Sequence, residues 1–276
     1  MKRPIILVYG NCQSEAIATS LGAYPGIVDD YDIVYIPNYN ITPQMEQELL
    51  LPELCDRVEL LLEQVTPFVR LSNRFTFPDA KTITFPSLDC NLLWPLRADE
   101  PRMRPEPPTF PWGRFTYGDK IINAIVAEAI DGDAAWAAFS ERSAAAIPNM
   151  ERFAQIEERR WKVAEKLVDV IMSDVIFPSI REKRLFWTYN HPHRLVLCRL
   201  GARLIHAAGF STTEEEAWEA YQRALSWPFG EDYHAPVHPL VAQQLSLEWW
   251  CSNMSWRRYD DSFSYEEFIR AQIAWR

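Results

Sequence analysis

Two short polar clusters hold the residue types that do chemistry, and they stand far apart in the chain. The first is Gly10-Asn11-Cys12-Gln13, directly after the apolar residues Ile5–Tyr9. A cysteine at the start of a helix faces unpaired backbone N–H groups and the positive end of the helix dipole, and both favour thiolate over thiol. The same N–H groups can hold an anion or the oxyanion of a tetrahedral intermediate. Gly10 permits a tight turn and close approach of a ligand, while Asn11 and Gln13 offer amide donors at the same edge. The second cluster is Asn190-His191-Pro192-His193, after the run Arg184–Tyr189. His191 suits general-base work because imidazole titrates near neutrality, and Pro192 biases the backbone before it away from helix. His193, and His238 within Pro236-Val237-His238-Pro239, are further candidates for the base. A packed strand-to-helix turn and two helix-entry turns use the same residues, so position alone leaves both readings open.

An anionic ligand needs cations near the strand ends. Arg70 and Arg74 flank Ser72 and Asn73 in FVRLSNRFTF, with Lys81 and Lys120 as further cations. These residues can grip a phosphate, and each also fits a solvated surface. The chain has no GxGxxG, no P-loop lysine motif and no GxSxG elbow, so dinucleotide binding, NTPase chemistry and α/β-hydrolase chemistry lose support. The five cysteines (Cys12, Cys55, Cys90, Cys198, Cys251) are scattered and form no CxxC. That argues against a disulfide framework and a structural zinc site, and no metal is expected.

The elements that must position these groups follow from periodicity. Ile5–Gly10, Asp32–Pro37, Val58–Leu62 and Lys81–Ser87 read as strands, with helical character over Gln13–Tyr24 up to Pro25-Gly26. Thr42-Pro43 reads as an N-cap followed by proline at N1, opening a helix through Leu54. The fold class is therefore α/β, a parallel sheet of about five strands covered on both faces, counting a returning strand at Arg184–Tyr189. Residues 1–90 are mainly this core. Residues 88–116, with RADEPRMRPEPPTFPWG, read as a proline-rich surface excursion. Residues 117–276 are mainly helical: Gly118–Ile130, Ala134–Ala146, Asn149–Met172, a helix after His193 to Ala208, one capped by Thr212 or Thr213, then Pro239–Trp250 and Tyr265–Trp275. Over Asn149–Met172, Phe153, Ile156, Trp161, Ala164, Leu167, Val168 and Ile171 approximate an apolar stripe. Ligands in open α/β sheets bind at the carboxyl ends of strands, where both polar clusters stand.

Composition narrows the partners. The chain of 276 residues is 48% apolar and 13% aromatic, as a folded globular protein requires. A net charge of −10 disfavours broad binding to nucleic acid or anionic membrane, while leaving room for a local cationic pocket. No apolar run reaches the length of a membrane span. The basic prefix is followed by a brief apolar run and then Asn-Cys-Gln, where a signal peptide needs small cleavage residues; this reads as the first strand of a cytoplasmic protein.

The strand ending in Gly10-Asn11-Cys12-Gln13, the segment VELLLEQ with Gln64, and the strand KTITFPS resemble the WcbI family of polysaccharide biosynthesis proteins. So do Tyr117-Gly118-Asp119 ahead of a helix, Tyr189-Asn190-His191-Pro192 and Pro236-Val237-His238-Pro239. The resemblance runs over nearly the whole chain and implies a single domain over residues 1–276. It implies an acetyltransferase that binds coenzyme A and O-acetylates a sugar of a bacterial capsular polysaccharide. It puts Gly10, Asn11, Cys12 and Gln13 in the active-site turn and Asn190, His191 and Pro192 in the second motif, with Gln64 a further candidate. The insert Arg97–Pro111 falls outside the pattern and leaves the acceptor pocket undefined. The order also distantly resembles SGNH-type hydrolases, with cysteine in the nucleophile's place and no DxxH before His191.

On this basis Cys12 takes the acetyl group of acetyl-CoA as a thioester, His191 acts as base on the sugar hydroxyl, and N–H groups around Cys12 and Gln13 hold the oxyanion. Arg70, Ser72, Asn73, Arg74 and Lys120 are the candidates for the cofactor. Direct transfer, with Cys12 only shaping the turn, is the nearest rival. An SGNH-like esterase or thioesterase, and a non-catalytic coenzyme A- or glycan-binding protein, are the others.

Overall fold

In the computed structural model, which describes residues 2–22, 24, 26–39, 42–67, 70–110, 112–210, 213–224 and 230–275, the apolar run Ile5–Gly10 is strand β1. It is buried along its whole length. That burial explains why the run does not alternate with polar residues: helices cover both faces of the strand. Helix α1, Cys12–Leu21, follows, and then β2, Asp32–Pro37. Between β2 and the next strand the single expected helix is broken into α2, Pro43–Leu49, and α3, Pro52–Cys55. Thr42 caps α2, its hydroxyl accepting from Met45 N at 3.2 Å. Pro52 excludes helical backbone at Leu51, which is extended (φ −62°, ψ 150°), so the helix stops and restarts.

Strands β3, Val58–Val65, and β4, Lys81–Pro86, complete a four-stranded parallel sheet in the order β2-β1-β3-β4. The α/β class holds, with four strands where about five were expected. Ile5, Leu7, Tyr9 and Leu61 share a core with Ile36, Leu50, Cys55, Val58 and Leu71. The order reverses at β1, whose neighbours continue the chain on opposite sides. The carboxyl end of β1 is therefore the switch point at which open sheets leave a crevice.

The remaining helices and strands, in chain order, are β5 (Arg97–Asp99), β6 (Tyr117–Asp119), α4 (Lys120–Ala127), α5 (Gly132–Ala146), α6 (Met150–Ala164), α7 (Ser173–Ser179), β7 (Phe186–Thr188), β8 (His191–Pro192), α8 (Arg194–Ala208), α9 (Glu214–Ala224), α10 (Pro239–Leu245), β9 (Trp256–Arg258), β10 (Asp261–Phe263) and α11 (Tyr265–Ala274). The chain divides into two compact units. One comprises Met1–Leu88, Arg159–Pro178 and His191–Phe229; the other comprises Asp89–Glu158, Ser179–Asn190 and Gly230–Arg276. The first holds the parallel sheet, with α8 packed on α1 and β4. In the second, β5 and β6 pair antiparallel, and α4, α5 and α11 close on Ile122, Ile125, Phe139, Ile269 and Ile273.

Three expectations are corrected. The helix foreseen over Asn149–Met172 ends at Ala164, followed by a 3-10 turn, Glu165–Leu167. Beyond it the chain lies along the edge of β4: Thr84 N and Oγ1 each donate to the Asp169 carboxylate at 2.7 Å. Asp169 N and Val170 N return bonds to Thr84 O. A sheet edge that needs covering thus outweighs helical periodicity. Trp161 of the foreseen stripe is buried, whereas Ile156, Leu167 and Ile171 are exposed. Second, residues 88–116 are not a surface excursion throughout, because Leu88, Cys90, Leu92, Leu93 and Phe115 are buried and β5 lies among them. Third, the returning strand shortens to β7 and belongs to the second unit, outside the parallel sheet.

Thr213 and Glu216 form the capping interaction of α9, with Thr212 outside the described residues. No helix among the described residues is long and apolar enough to cross a membrane.

One position in the sheet admits no side chain. A Cβ on Gly10 would stand 2.0 Å from Ser14 Oγ and 2.6 Å from Gln64 Cβ. Gly10→Ala is expected to destabilise the fold by about 1–3 kcal/mol, the usual cost of overpacking. The measurement is the urea midpoint, and an unchanged midpoint would contradict this packing.

Candidate active site

The turn after β1 is built from its own amides. Asn11 leaves the strand in extended conformation and caps α1, its Oδ1 accepting from Gln13 N at 2.9 Å. Asn11 N donates to Gln64 Oε1, near the end of β3, at 2.9 Å. Gln64 Nε2 in turn donates to Gln13 Oε1 at 2.9 Å. Gln13 closes the set on the chain beyond β4, accepting from Leu88 N at 2.9 Å and donating to Leu88 O at 3.3 Å. Both glutamine side chains are buried. Tyr35 of β2 donates its hydroxyl toward Gly10 O and Asn11 O, at 3.3 and 3.1 Å.

On this frame Cys12 opens α1, half-buried, with Sγ 3.9 Å from His191 Nε2. The two residues lie 179 positions apart in the sequence, and both belong to the first unit. The Tyr35 phenol is pushed well above its ordinary range, chiefly by burial and then by Tyr39. Burial raises Tyr39 as well, with the charge of Cys12 adding to it. Both phenols therefore stay protonated beside the thiol. A thiol at a helix N-terminus, next to an imidazole and two neutral hydroxyls, is arranged for proton transfer and nucleophilic attack.

The other sequence candidates have specific partners. Gln13 offers no amide edge to a ligand: its side chain is committed to Leu88 and Gln64, and its N–H to Asn11. His193 caps α8, with Nδ1 accepting from Leu195 N at 3.2 Å. His238 does the same for α10, accepting from Leu240 N at 3.1 Å, while Nε2 meets Ser143 Oγ at 3.1 Å. Asn190, in the second unit, accepts from Thr188 Oγ1 at 3.0 Å.

Among the cationic candidates, Arg74 is paired with Glu46 and donates to Tyr9 Oη at 2.8 Å. Ser72 N and Oγ both bond the buried Glu63 carboxylate, at 3.0 and 2.7 Å. Arg70 donates to Leu167 O at 3.2 Å. Asn73 is exposed in the 3-10 turn, and Lys120 is exposed at the start of α4 in the second unit. Lys81 caps the end of α8 through Ala207 O at 2.7 Å. No group of three or more His, Cys, Asp or Glu among the described residues could hold a metal ion.

Sequence reasoning missed Tyr35, Tyr39, Ser14 and Glu63. Tyr35 carried the only available signal, a polar-tipped aromatic in the strand DIVYIP; the others announce themselves only when β3 and β2 flank β1.

A family model described as the polysaccharide biosynthesis enzyme WcbI matches residues 5–213. A solved structure of WcbI is described as a novel polysaccharide biosynthesis enzyme, the native protein without a disulfide bond between coenzyme A and one of its cysteines. Its fold superimposes over 99% of this chain and 90% of that one, with a TM-score of 0.78 at 18% identity. At that identity the likeness establishes the fold. No curated protein matches the sequence.

Burial lowers His238 from 6.5 to about 4. The unfolded chain therefore takes up that proton first as the pH falls. Stability is lost progressively from about pH 6.5 down to about pH 4. Because asparagine also caps helices, His238→Asn is expected to flatten this part of the stability profile. Urea titrations across the window test it, and parallel profiles for the two proteins would contradict it.

Proposed function

Because the chain belongs to the WcbI family of polysaccharide biosynthesis enzymes, we propose that it is an O-acetyltransferase moving an acetyl group from acetyl-coenzyme A to a sugar hydroxyl. The acceptor in this reading is a sugar of a bacterial capsular polysaccharide, and the reaction is cytoplasmic, where acetyl-coenzyme A is made. The observation that carries the proposal is Cys12 Sγ within 3.9 Å of His191 Nε2 at the switch point of the sheet. The description of the solved WcbI structure, which names coenzyme A together with a cysteine in a form lacking the disulfide between them, supports it. Of the five cysteines, Cys55, Cys90 and Cys198 are buried and Cys251 is exposed; Cys12 is half-buried beside a titratable partner.

The chemistry runs in two balanced steps. His191 Nε2 accepts the Cys12 thiol proton, and the thiolate attacks the acetyl carbonyl. The carbon–sulfur bond to coenzyme A breaks, and the departing thiolate takes the proton from the imidazolium. In the second step His191 removes the proton of a sugar hydroxyl, the alkoxide attacks the Cys12 thioester, and the Cys12 thiolate leaves and is reprotonated. Exchange of one thioester for another costs little free energy. The macrodipole of α1 favours the anionic sulfur in both steps. With Gln13 N–H committed to Asn11 and the Tyr35 hydroxyl to Gly10 O and Asn11 O, the oxyanion falls to the Tyr39 hydroxyl and the remaining groups of the turn. The phosphates of coenzyme A fall to Arg70 and Asn73, since Arg74 and Ser72 are held by glutamates.

Coenzyme A is expected to raise the apparent melting temperature, because it binds the native state alone. His191→Ala is expected to lower acetyl transfer by about 10²–10⁴-fold, the usual contribution of a general base. Cys12→Ala and Cys12→Ser are expected to abolish transfer. Full activity in both cysteine variants would contradict the covalent route. Release of acetate at the turnover rate without any acceptor would make the enzyme a hydrolase instead.

A further inference from the structure

The second unit contains a cavity of its own, formed where β5 and β6 meet α4 and α11. About 70 Å³ of it is open to the centres of water molecules, room for roughly five to seven waters at about 10–15 Å³ each. That is the bulk of one monosaccharide. Trp94, Tyr117 and Tyr233 supply aromatic walls. The Trp94 indole is fixed by bonds to Ala235 O and Pro236 O, and Tyr117 meets Tyr233 edge to face at 5.5 Å. The walls are therefore rigid.

Three polar groups complete the lining. Asp119 caps α4, and both backbone donors, Ile121 N and Ile122 N, fall on Oδ1 at 2.7 and 3.2 Å. Gln272 spends Nε2 on Glu100 and Tyr117 O. Among the described residues none pairs with Asp119 Oδ2, Gln272 Oε1 or the Tyr265 hydroxyl, although all three residues line the cavity. The cavity thus offers two acceptors and one donor between aromatic faces.

We propose that this cavity is a binding site for one pyranose-type sugar residue, held by its C–H face against Trp94, Tyr117 and Tyr233 and by its hydroxyls on Asp119, Tyr265 and Gln272. A wholly apolar ligand would leave these three polar atoms unmatched, at the usual cost of burying them. An anion would face the Asp119 carboxylate. A cation would face the Arg97 guanidinium, which lines the same cavity and stacks 3.5 Å from the Tyr189 ring centroid. A neutral polyol with an apolar face meets none of these penalties. Burial raises Asp119 to about 6, the sign of a carboxylate with fewer donors than its desolvation requires, and sugar hydroxyls supply them. The site does not depend on acyl transfer at Cys12.

Saturation-transfer NMR on the full chain, with the methyl glycosides of glucose, galactose, mannose and N-acetylglucosamine as probes, tests the site. Ring protons of at least one glycoside are expected to receive saturation. Tyr265→Phe removes one hydroxyl and Asp119→Asn keeps a capping side chain. Each is expected to weaken that binding about 2–10-fold, the effect of one lost hydrogen bond, while coenzyme A affinity, measured separately, stays at the wild-type value. Three results would overturn the site: no transfer to any probe from folded protein, undiminished binding in both variants, or binding of indole in place of the glycosides. Glycoside binding without coenzyme A binding would leave this site standing and remove the acyl-transfer reading.

Discussion

Two buried glutamine side chains tie together three strand ends of the parallel sheet. Gln13 at the start of α1, Gln64 near the end of β3 and Leu88 beyond β4 are joined through amide groups whose bonds run between 2.9 and 3.3 Å. Asn11 N and Ser14 Oγ add their bonds to Gln64 Oε1. Each buried polar group left unmatched costs about 1–3 kcal/mol, so the set favours one arrangement of all three ends. The position of Cys12 follows from it. The glutamines fix the turn, the turn fixes the first residue of α1, and Gly10 leaves space for the clamp because it carries no side chain.

The electrostatics of the first unit divide along the same line. Charged groups near the sheet are largely neutralised within the protein: Arg74 by Glu46, and Arg203 by Asp174 and Glu214. The neighbours of Cys12 include a histidine and neutral phenols. The thiol therefore stands where a proton can be exchanged locally, on the positive end of α1. In the proposed reaction, an acetyl group arriving on a thioester meets a sulfur nucleophile of matched chemistry there.

How much of this was legible in the sequence depends on range. β1, β2 and the start of α2 follow from local signals, an apolar run and a Thr-Pro cap, and the structure places them at the expected residues. The Gly10-Asn11-Cys12-Gln13 turn was legible as well, because strand, glycine and helix start are contiguous. Its partners were not. Gln13 read as a donor at the edge, and its burial under Leu88 is decided by β4, seventy-five residues away. The same limit explains the misread helix after Asn149. Its periodicity continues past Ala164, but Asp169 is drawn to Thr84 on the sheet edge. It explains the cations too. Arg70-Leu71-Ser72-Asn73-Arg74 reads as a phosphate grip until Glu46 and Glu63 are brought beside it.

The central claim is that Cys12 carries the acetyl group. Mixing the protein with acetyl-coenzyme A in the absence of acceptor, quenching rapidly in acid and weighing the intact chain tests this directly. The expected result is one added acetyl group, located on the peptide containing Cys12 and lost when a sugar acceptor is supplied. An unmodified chain under conditions in which sugar acetylation proceeds would contradict it.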